Sequence, residues 1–66
     1  MIEWLNNFNE TDIFLDIGAN VGTYTLPALT KVKYAYACEM DIKNSAILLE
    51  NLLINNLHEK CLILNF

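Results

Sequence analysis

The apolar residues of this 66-residue chain fall into short runs that turn residues separate. Three of these runs, at residues 12–17, 34–38 and 61–64, predict β-strands. Short apolar runs bounded by turn signals are typical of strands in parallel sheets. We expect the first strand to be buried on both faces of its sheet, because three consecutive residues at its centre are apolar.

Residues 43–57 have the clearest helical pattern, with apolar residues at three- and four-residue steps. We expect this stripe to face the core. We also expect Asp41 to cap the helix, because its carboxylate can accept hydrogen bonds from the free amides of the first turn. The stripe comprises Ile42, Ala46, Leu49, Leu53 and Leu57, and it is widened by Leu48 and Leu52.

Two weaker helical patterns precede that helix. Residues 2–8 are weakly amphipathic and lead into a turn that ends at residue 11. Residues 21–30 predict another helix, but a proline at position 27 should kink it or stop it early, because proline removes a backbone hydrogen bond. The order helix-β-α-β-α-β predicts an α/β fold with parallel strands and right-handed crossovers.

The composition of the chain indicates which kinds of partner and cellular location to expect. Eight acidic residues and four lysines give a net charge of -4 without any basic cluster, so we expect no nucleic-acid partner. The sequence has neither a signal-peptide pattern nor an apolar run of about 20 residues, and we therefore expect no membrane span and a cytoplasmic location. Cys38 and Cys61 have no metal or redox spacing, so we expect no metal and two reduced core thiols. A disulfide between them stays open from sequence alone.

The turn after the first strand, Asp16-Ile-Gly-Ala-Asn-Val-Gly22, carries the strongest chemical signal. Open α/β sheets bind cofactors at glycine turns between a strand and a helix. Gly18 allows a positive φ angle and close approach of a ligand, and the second glycine allows close helix packing. The Asp16 carboxylate would repel a pyrophosphate, but it would attract the sulfonium and ammonium groups of S-adenosylmethionine.

A second acid, Glu39, ends the second predicted strand. In α/β nucleotide-binding folds, an acid about 20 residues after the glycine turn accepts hydrogen bonds from the ribose hydroxyls. Met40 follows it and is placed to lie against an adenine ring. The sequence therefore predicts that Asp16 and Glu39 hold opposite ends of one ligand.

These residues resemble a known family. The string Phe14-Leu-Asp-Ile-Gly-Ala-Asn-Val-Gly-Thr-Tyr-Thr25 is similar to the first motif of the FkbM-type S-adenosylmethionine-dependent methyltransferases. Glu39 and a helix ending in Leu52-Leu-Ile-Asn-Asn-Leu57 resemble the next segment of that family. Two positions depart from the family pattern. Met40 stands where the family often has a proline after the acid, and a proline at position 27 lies inside the first predicted helix. The resemblance implies these cofactor-binding positions: Asp16, Gly18, Ala19, Asn20, Gly22, Glu39 and Met40.

The resemblance also implies a partial, Rossmann-like class I methyltransferase fold, with S-adenosylmethionine as cofactor. The implied reaction is methyl transfer to a hydroxyl of a sugar, lipid or small molecule, for which the sequence identifies no catalytic residue. We expect residues 1–66 to be the N-terminal part of one domain and not a complete catalytic unit. Residues 1–11 would form a leading helix and turn, and residues 12–66 the cofactor-binding βαβαβ unit.

Three alternatives stay open. The chain could be a cofactor-binding module without chemistry, a truncated relic that binds nothing, or a fragment of an NAD-dependent oxidoreductase. In a class I methyltransferase fold another strand would lie beside the first strand, and without it that strand would expose an unpaired apolar edge. We therefore expect the isolated chain to be marginally stable, and either to self-associate through that edge or to need a missing segment.

Overall fold

A three-stranded parallel sheet lies at the centre of the structure, a computed structural model that describes residues 8–66. The strands β1 (Ile13–Ile17), β2 (Tyr34–Cys38) and β3 (Cys61–Leu64) lie in the order β1-β2-β3. Their parallel pairing confirms all three predicted strands, with β1 one residue shorter than predicted. β1 is an edge strand of this sheet, as expected. The helix predicted at residues 2–8 lies outside the described residues, except for its last position.

Two α-helices, α1 (Thr25–Leu29) and α2 (Ile42–Ile54), connect the strands, and a short 3-10 helix precedes β3. The prediction that the first helix begins at residue 21 is wrong, because residues 21–24 form turns. Pro27 therefore lies in the first turn of α1, where its missing N–H would have no partner within the helix. Among residues 8–66, no helix is long and apolar enough to cross a membrane.

Local hydrogen bonds define both ends of α2. The Asp41 side chain accepts hydrogen bonds from two amides of the first turn, at 2.9 and 3.2 Å, which confirms the predicted cap. Beyond the last turn, Asn56 has a φ of 57°. The Leu57 amide then donates to the Leu52 carbonyl at 2.8 Å, which is the bond that closes a Schellman motif. The helix consequently ends before residue 57.

The described helices pack on one face of the sheet and not on the other. One face, which we call the covered face, packs against the fully buried Leu29, Leu48 and Leu52. The opposite face, which we call the open face, has no described helix over it. Strand alternation and register place these residues on the covered face: Phe14, Asp16, Ala35, Ala37, Cys61 and Ile63. The open face carries Ile13, Leu15, Ile17, Tyr34, Tyr36, Cys38, Leu62 and Leu64.

The prediction that β1 is buried on both faces is wrong. Ile13, Leu15 and Ile17 are 62%, 58% and 72% exposed, because both helices pack on the covered face. A run of consecutive apolar residues indicates apolar surroundings on both sides of a strand, but it does not say which segment provides them.

The predicted rotation of α2 is also wrong. Its core contact is made by Leu48 and Leu52, which were expected only to widen the stripe. Ser45 donates to the Glu39 carbonyl at 2.9 Å and Asn51 donates to the Val21 carbonyl at 2.8 Å, so polar contacts set which side of the helix faces inward. Four residues of the predicted stripe are exposed, while Leu57, beyond the end of the helix, packs against the core. The exposed four, which we call the α2 stripe, are Ile42, Ala46, Leu49 and Leu53.

The two cysteines lie on opposite faces of the sheet. Cys61 is on the covered face and Cys38 is on the opposite side of β2, and both are free and buried. Side chains on opposite faces of a sheet cannot reach disulfide geometry. The structure thus confirms the expected reduced thiols and excludes the disulfide that the sequence left open.

Replacing Asp41 by alanine should destabilise the chain by about 1 kcal/mol, because the amides at the start of α2 lose their acceptor. Urea unfolding monitored by circular dichroism measures this change. Glu50→Ala is the matched control, since it removes the same charge from an exposed position in the same helix. Equal effects of the two variants would show that net charge, and not capping, is responsible.

Candidate cofactor-binding site

The glycine turn crosses from the end of β1 to the end of β2. The amides of Gly18 and Ala19 both donate to the Cys38 carbonyl, at 2.8 and 3.1 Å. Gly18, Asn20 and Gly22 have φ angles of 71°, 54° and 101°. Glycine adopts such angles without strain, and asparagine tolerates them better than most residues. The predicted backbone role of this turn is confirmed.

The two glycines serve different purposes. A Cβ atom on Gly18 would meet nothing within 4 Å, so the backbone there borders open space that a ligand can enter. A Cβ on Gly22 would clash with Leu26 and would lie 2.8 Å from the Leu48 side chain. Gly22 therefore lets α1 and α2 approach each other, while Gly18 leaves room above the strand ends.

Glu39 holds the glycine turn, the end of β2 and the start of α2 together. Its Oε1 accepts from the Asn20 amide at 2.6 Å, and its Oε2 accepts from the Asp41 amide at 3.0 Å. Its carbonyl accepts from the Ser45 hydroxyl at 2.9 Å and from the Asn65 side chain at 2.8 Å. The sequence predicted Glu39 as a site residue but gave no signal of its contacts with Asn20 and Asn65, because these partners lie 19 and 26 residues away along the chain.

Asp16 lies on the covered face and is buried, at 8% exposure. The Thr25 hydroxyl donates to its Oδ2 at 2.5 Å, and Thr25 is itself fully buried. Sequence reasoning missed this threonine because its partner belongs to a preceding strand and not to its own helix. One hydroxyl uses only one of roughly four acceptor positions of a carboxylate, so capacity for another donor remains.

Two asparagines of α2 hold the turn from the other side. Asn51 reaches the Val21 carbonyl at 2.8 Å, and Asn44 reaches the Asn20 side chain at 3.4 Å. They were not predicted, although their seven-residue spacing was a usable signal, since it places both on one helix face.

The seven predicted positions occupy different environments. Asn20 and Glu39 are in direct contact, and Met40 is 79% exposed beside them. Ala19 is buried and its amide donates to the Cys38 carbonyl, so this residue stabilises the turn. Their roles in binding a cofactor stay a prediction. Within residues 8–66, no group of three or more acidic, histidine or cysteine side chains is arranged to hold a metal ion.

The pKa of the Cys61 thiol is raised from 9.0 to about 11. Burial is the main cause, a backbone hydrogen bond with Ala37 lowers the pKa, and the nearby Asp16 charge raises it. The thiol is therefore protonated and unreactive near neutral pH.

Solved structures share this arrangement. Precorrin 8w decarboxylase from Methanobacterium thermoautotrophicum matches with a TM-score of 0.85 and 22% identity, over 96% of this chain and 34% of that one. Trm5b from Pyrococcus abyssi matches with a TM-score of 0.87 and 19% identity, over 96% and 19%. Trm5 from Methanocaldococcus jannaschii, solved in complex with adenosine, matches with a TM-score of 0.84 and 21% identity, over 92% and 19%.

The chain has part of a methyltransferase fold. Its three parallel strands and their helices correspond to the Rossmann-like fold of class I S-adenosylmethionine-dependent methyltransferases, as the sequence predicted. It spans between a fifth and a third of the length of the structures named above. No protein-family model and no curated protein matches the sequence, and the narrower FkbM assignment stays a prediction.

Gly22→Ala should destabilise this methyltransferase-like fold more than Gly18→Ala. Both changes place alanine at a positive φ, which costs about 1–2 kcal/mol. Only the first also forces a methyl group against Leu26 and the fully buried Leu48, which adds about 1–3 kcal/mol of overpacking. Chemical unfolding of both variants measures the difference, and a larger effect at Gly18 would contradict the packing described for Gly22.

The Cys61 thiol should make stability fall at alkaline pH. It binds its proton more tightly in the folded than in the unfolded chain, so its contribution is complete below about pH 9 and is lost as the pH rises towards 11. A shift of this size corresponds to at most about 3 kcal/mol. Unfolding free energies of the wild type and Cys61→Ala should therefore converge across this range. A constant difference across this range would contradict the raised pKa.

Proposed function

We propose that this chain is the cofactor-binding part of an S-adenosylmethionine-dependent methyltransferase. The observation that carries the proposal is the contact between Glu39 and the glycine turn, which puts a carboxylate beside an open, glycine-lined space at the ends of β1 and β2. Ligands of open α/β sheets bind at the carboxyl ends of the strands. A shared fold with a Trm5 structure that holds adenosine supports this reading.

The chemistry of the site fits the proposed cofactor. Glu39 accepts one amide on each oxygen, which leaves lone pairs on both for ribose hydroxyls. Met40 offers an exposed, polarizable side chain next to it, suited to an adenine ring. The Asp16 carboxylate at the start of the turn would repel the pyrophosphate of a dinucleotide, which favours a cofactor without phosphate.

Asp16 would act on the cationic end of the cofactor. The Thr25 hydroxyl fixes the orientation of its carboxylate, and the buried setting strengthens the field that this charge exerts. The bound cofactor would supply an electrophilic methyl group on its sulfonium. The residues of this chain would bind and orient that cofactor, and we assign none of them as a general base.

The acceptor is part of the same proposal. The FkbM resemblance favours an oxygen acceptor, namely a hydroxyl of a sugar, lipid or small molecule. The chain covers only a fraction of the structures that it matches, and we propose that acceptor binding and any proton transfer depend on residues outside this unit.

Calorimetric titration tests the proposal with S-adenosylmethionine, S-adenosylhomocysteine and NAD as separate ligands. We expect heat with the first two and none with NAD. Asp16→Asn and Met40→Ala should each weaken binding by tenfold or more, or about 1.4 kcal/mol. Glu39→Gln should abolish binding, because it removes the charge and turns an amide group towards a backbone donor.

Glu50→Gln is the matched control for charge, and it should bind as the wild type does. Met40 is largely exposed, so its substitution tests the site without disturbing the core. Absence of heat with all three ligands would favour a relic, and heat with NAD alone would favour an oxidoreductase fragment. Either result would refute the proposal.

A further inference from the structure

The backbone of Glu39 is held from the end of β3. Glu39 directly follows the last residue of β2 and is buried, at 7% exposure. Its amide donates to the Leu64 carbonyl at 2.9 Å, and its carbonyl accepts from the Asn65 side chain at 2.8 Å. The Asn65 side chain also donates to the Ser45 hydroxyl at 3.1 Å, and that hydroxyl donates to the Glu39 carbonyl at 2.9 Å. Glu39, Ser45 and Asn65 thus form a closed ring of hydrogen bonds.

An asparagine has the chemistry that this ring requires. The Ser45 hydroxyl gives its single hydrogen to Glu39, so it can only accept from the third member. The side-chain nitrogen of Asn65 has two hydrogens, one for each of the two oxygens. Aspartate has nearly the same size, but its carboxylate has no hydrogen to donate and would repel both oxygens. The donor nitrogen, and not the bulk of the side chain, therefore completes the ring.

The ring also fixes the direction in which the Glu39 side chain leaves the backbone. Because the amide and the carbonyl of Glu39 are both bonded, its backbone cannot rotate without breaking one of these bonds. The carboxylate then lies against the Asn20 and Asp41 amides, at 2.6 and 3.0 Å, and each oxygen keeps a lone pair for a ligand. A group that is held in place before its ligand arrives loses little conformational entropy on binding.

We propose that Asn65 is a positioning residue for the ribose of the cofactor, and that it acts through Glu39. This inference rests on the proposed function, in which the Glu39 carboxylate accepts hydrogen bonds from the ribose hydroxyls. It adds the end of β3 to a site that the glycine turn and the end of β2 otherwise form. Loss of the Asn65 donor should therefore weaken the ribose contact and leave the other contacts of the ligand unchanged.

Asn55 provides a matched control. Its side-chain amide also donates to a backbone carbonyl, that of Asn51, at 2.8 Å. It is exposed, as Asn65 is, and it lies at the opposite end of α2 from Asp41. The same substitution at either position removes a side-chain hydrogen bond of the same length. Only the change at Asn65 should affect Glu39.

Amide hydrogen exchange, measured by NMR, tests the effect on Glu39 without a ligand. The Asn20 amide donates to the Glu39 carboxylate, so its exchange rate reports how firmly that carboxylate is held. Relative to the core amides of α2, Asn65→Ala should raise this rate at least about tenfold, and Asn65→Asp should raise it as much or more. Asn55→Ala should leave it unchanged. Wild-type exchange in either Asn65 variant would overturn the proposal.

NMR titration with adenosine and with dideoxyadenosine, which lacks both ribose hydroxyls, isolates the ribose contact. The wild type and Asn55→Ala should bind adenosine at least about tenfold more tightly than dideoxyadenosine. In Asn65→Ala this ratio should fall below about threefold, while the affinity for dideoxyadenosine stays at its wild-type value.

The two measurements separate this inference from the function on which it rests. If Asn65→Ala weakened both ligands equally, the side chain would act only on the fold, and the positioning role would be refuted while adenosine binding stood. A wild type that bound neither ligand would refute the proposed function and the ribose role together. Circular dichroism verifies that each variant is folded.

Discussion

The buried Glu39 carboxylate is the interaction on which the rest of the described fold depends. A buried charge is unfavourable unless hydrogen bonds replace the water that it loses. No lysine makes a described ion pair with it, and its donors are the Asn20 and Asp41 amides. Hydrogen bonds to an ionised acceptor are roughly twice as strong as neutral ones, so they hold their donors firmly. The turn, the strand end and the helix start consequently form one rigid unit.

This rigidity contrasts with the incomplete burial of the sheet. The covered face has a compact core around Leu29, Leu48 and Leu52, while the open face exposes residues of the same kind. Polar contacts organise the strand ends, and apolar contacts organise only one side of the sheet. The geometry of the site is thus better defined than the surroundings of the sheet that supports it.

The sequence predicted what depends on neighbours in the chain. The strand positions, the Asp41 cap and the positive φ angle at Gly18 follow from local patterns, and all were correct apart from one residue at the start of β1. The rotation of α2 was not predictable in the same way. Apolar residues extend around most of that helix, so periodicity alone could not choose between Leu49 and Leu48 as the core contact.

In the candidate site too, the sequence predicted local features and missed those that depend on packing. The sequence predicted Asp16 and Glu39 as site residues from the motif and the spacing between them, but it gave no indication that Thr25 bonds to the first acid or that Asn65 bonds to the second. These partners are set by the packing of whole elements and not by the sequence around them. The likeness to methyltransferase structures, at 19–22% identity over most of the chain, rests on the same packing.

The contacts between β3 and Glu39 bear on the order in which the molecule folds. The Glu39 amide donates to Leu64 and its carbonyl accepts from Asn65, both near the end of β3 or just beyond it. The acid that organises the glycine turn thus receives restraints from a strand that follows it by more than 20 residues in the chain. Closure of loops this long is slow compared with local helix formation. The turn would therefore reach its final shape only after β3 has docked beside β2.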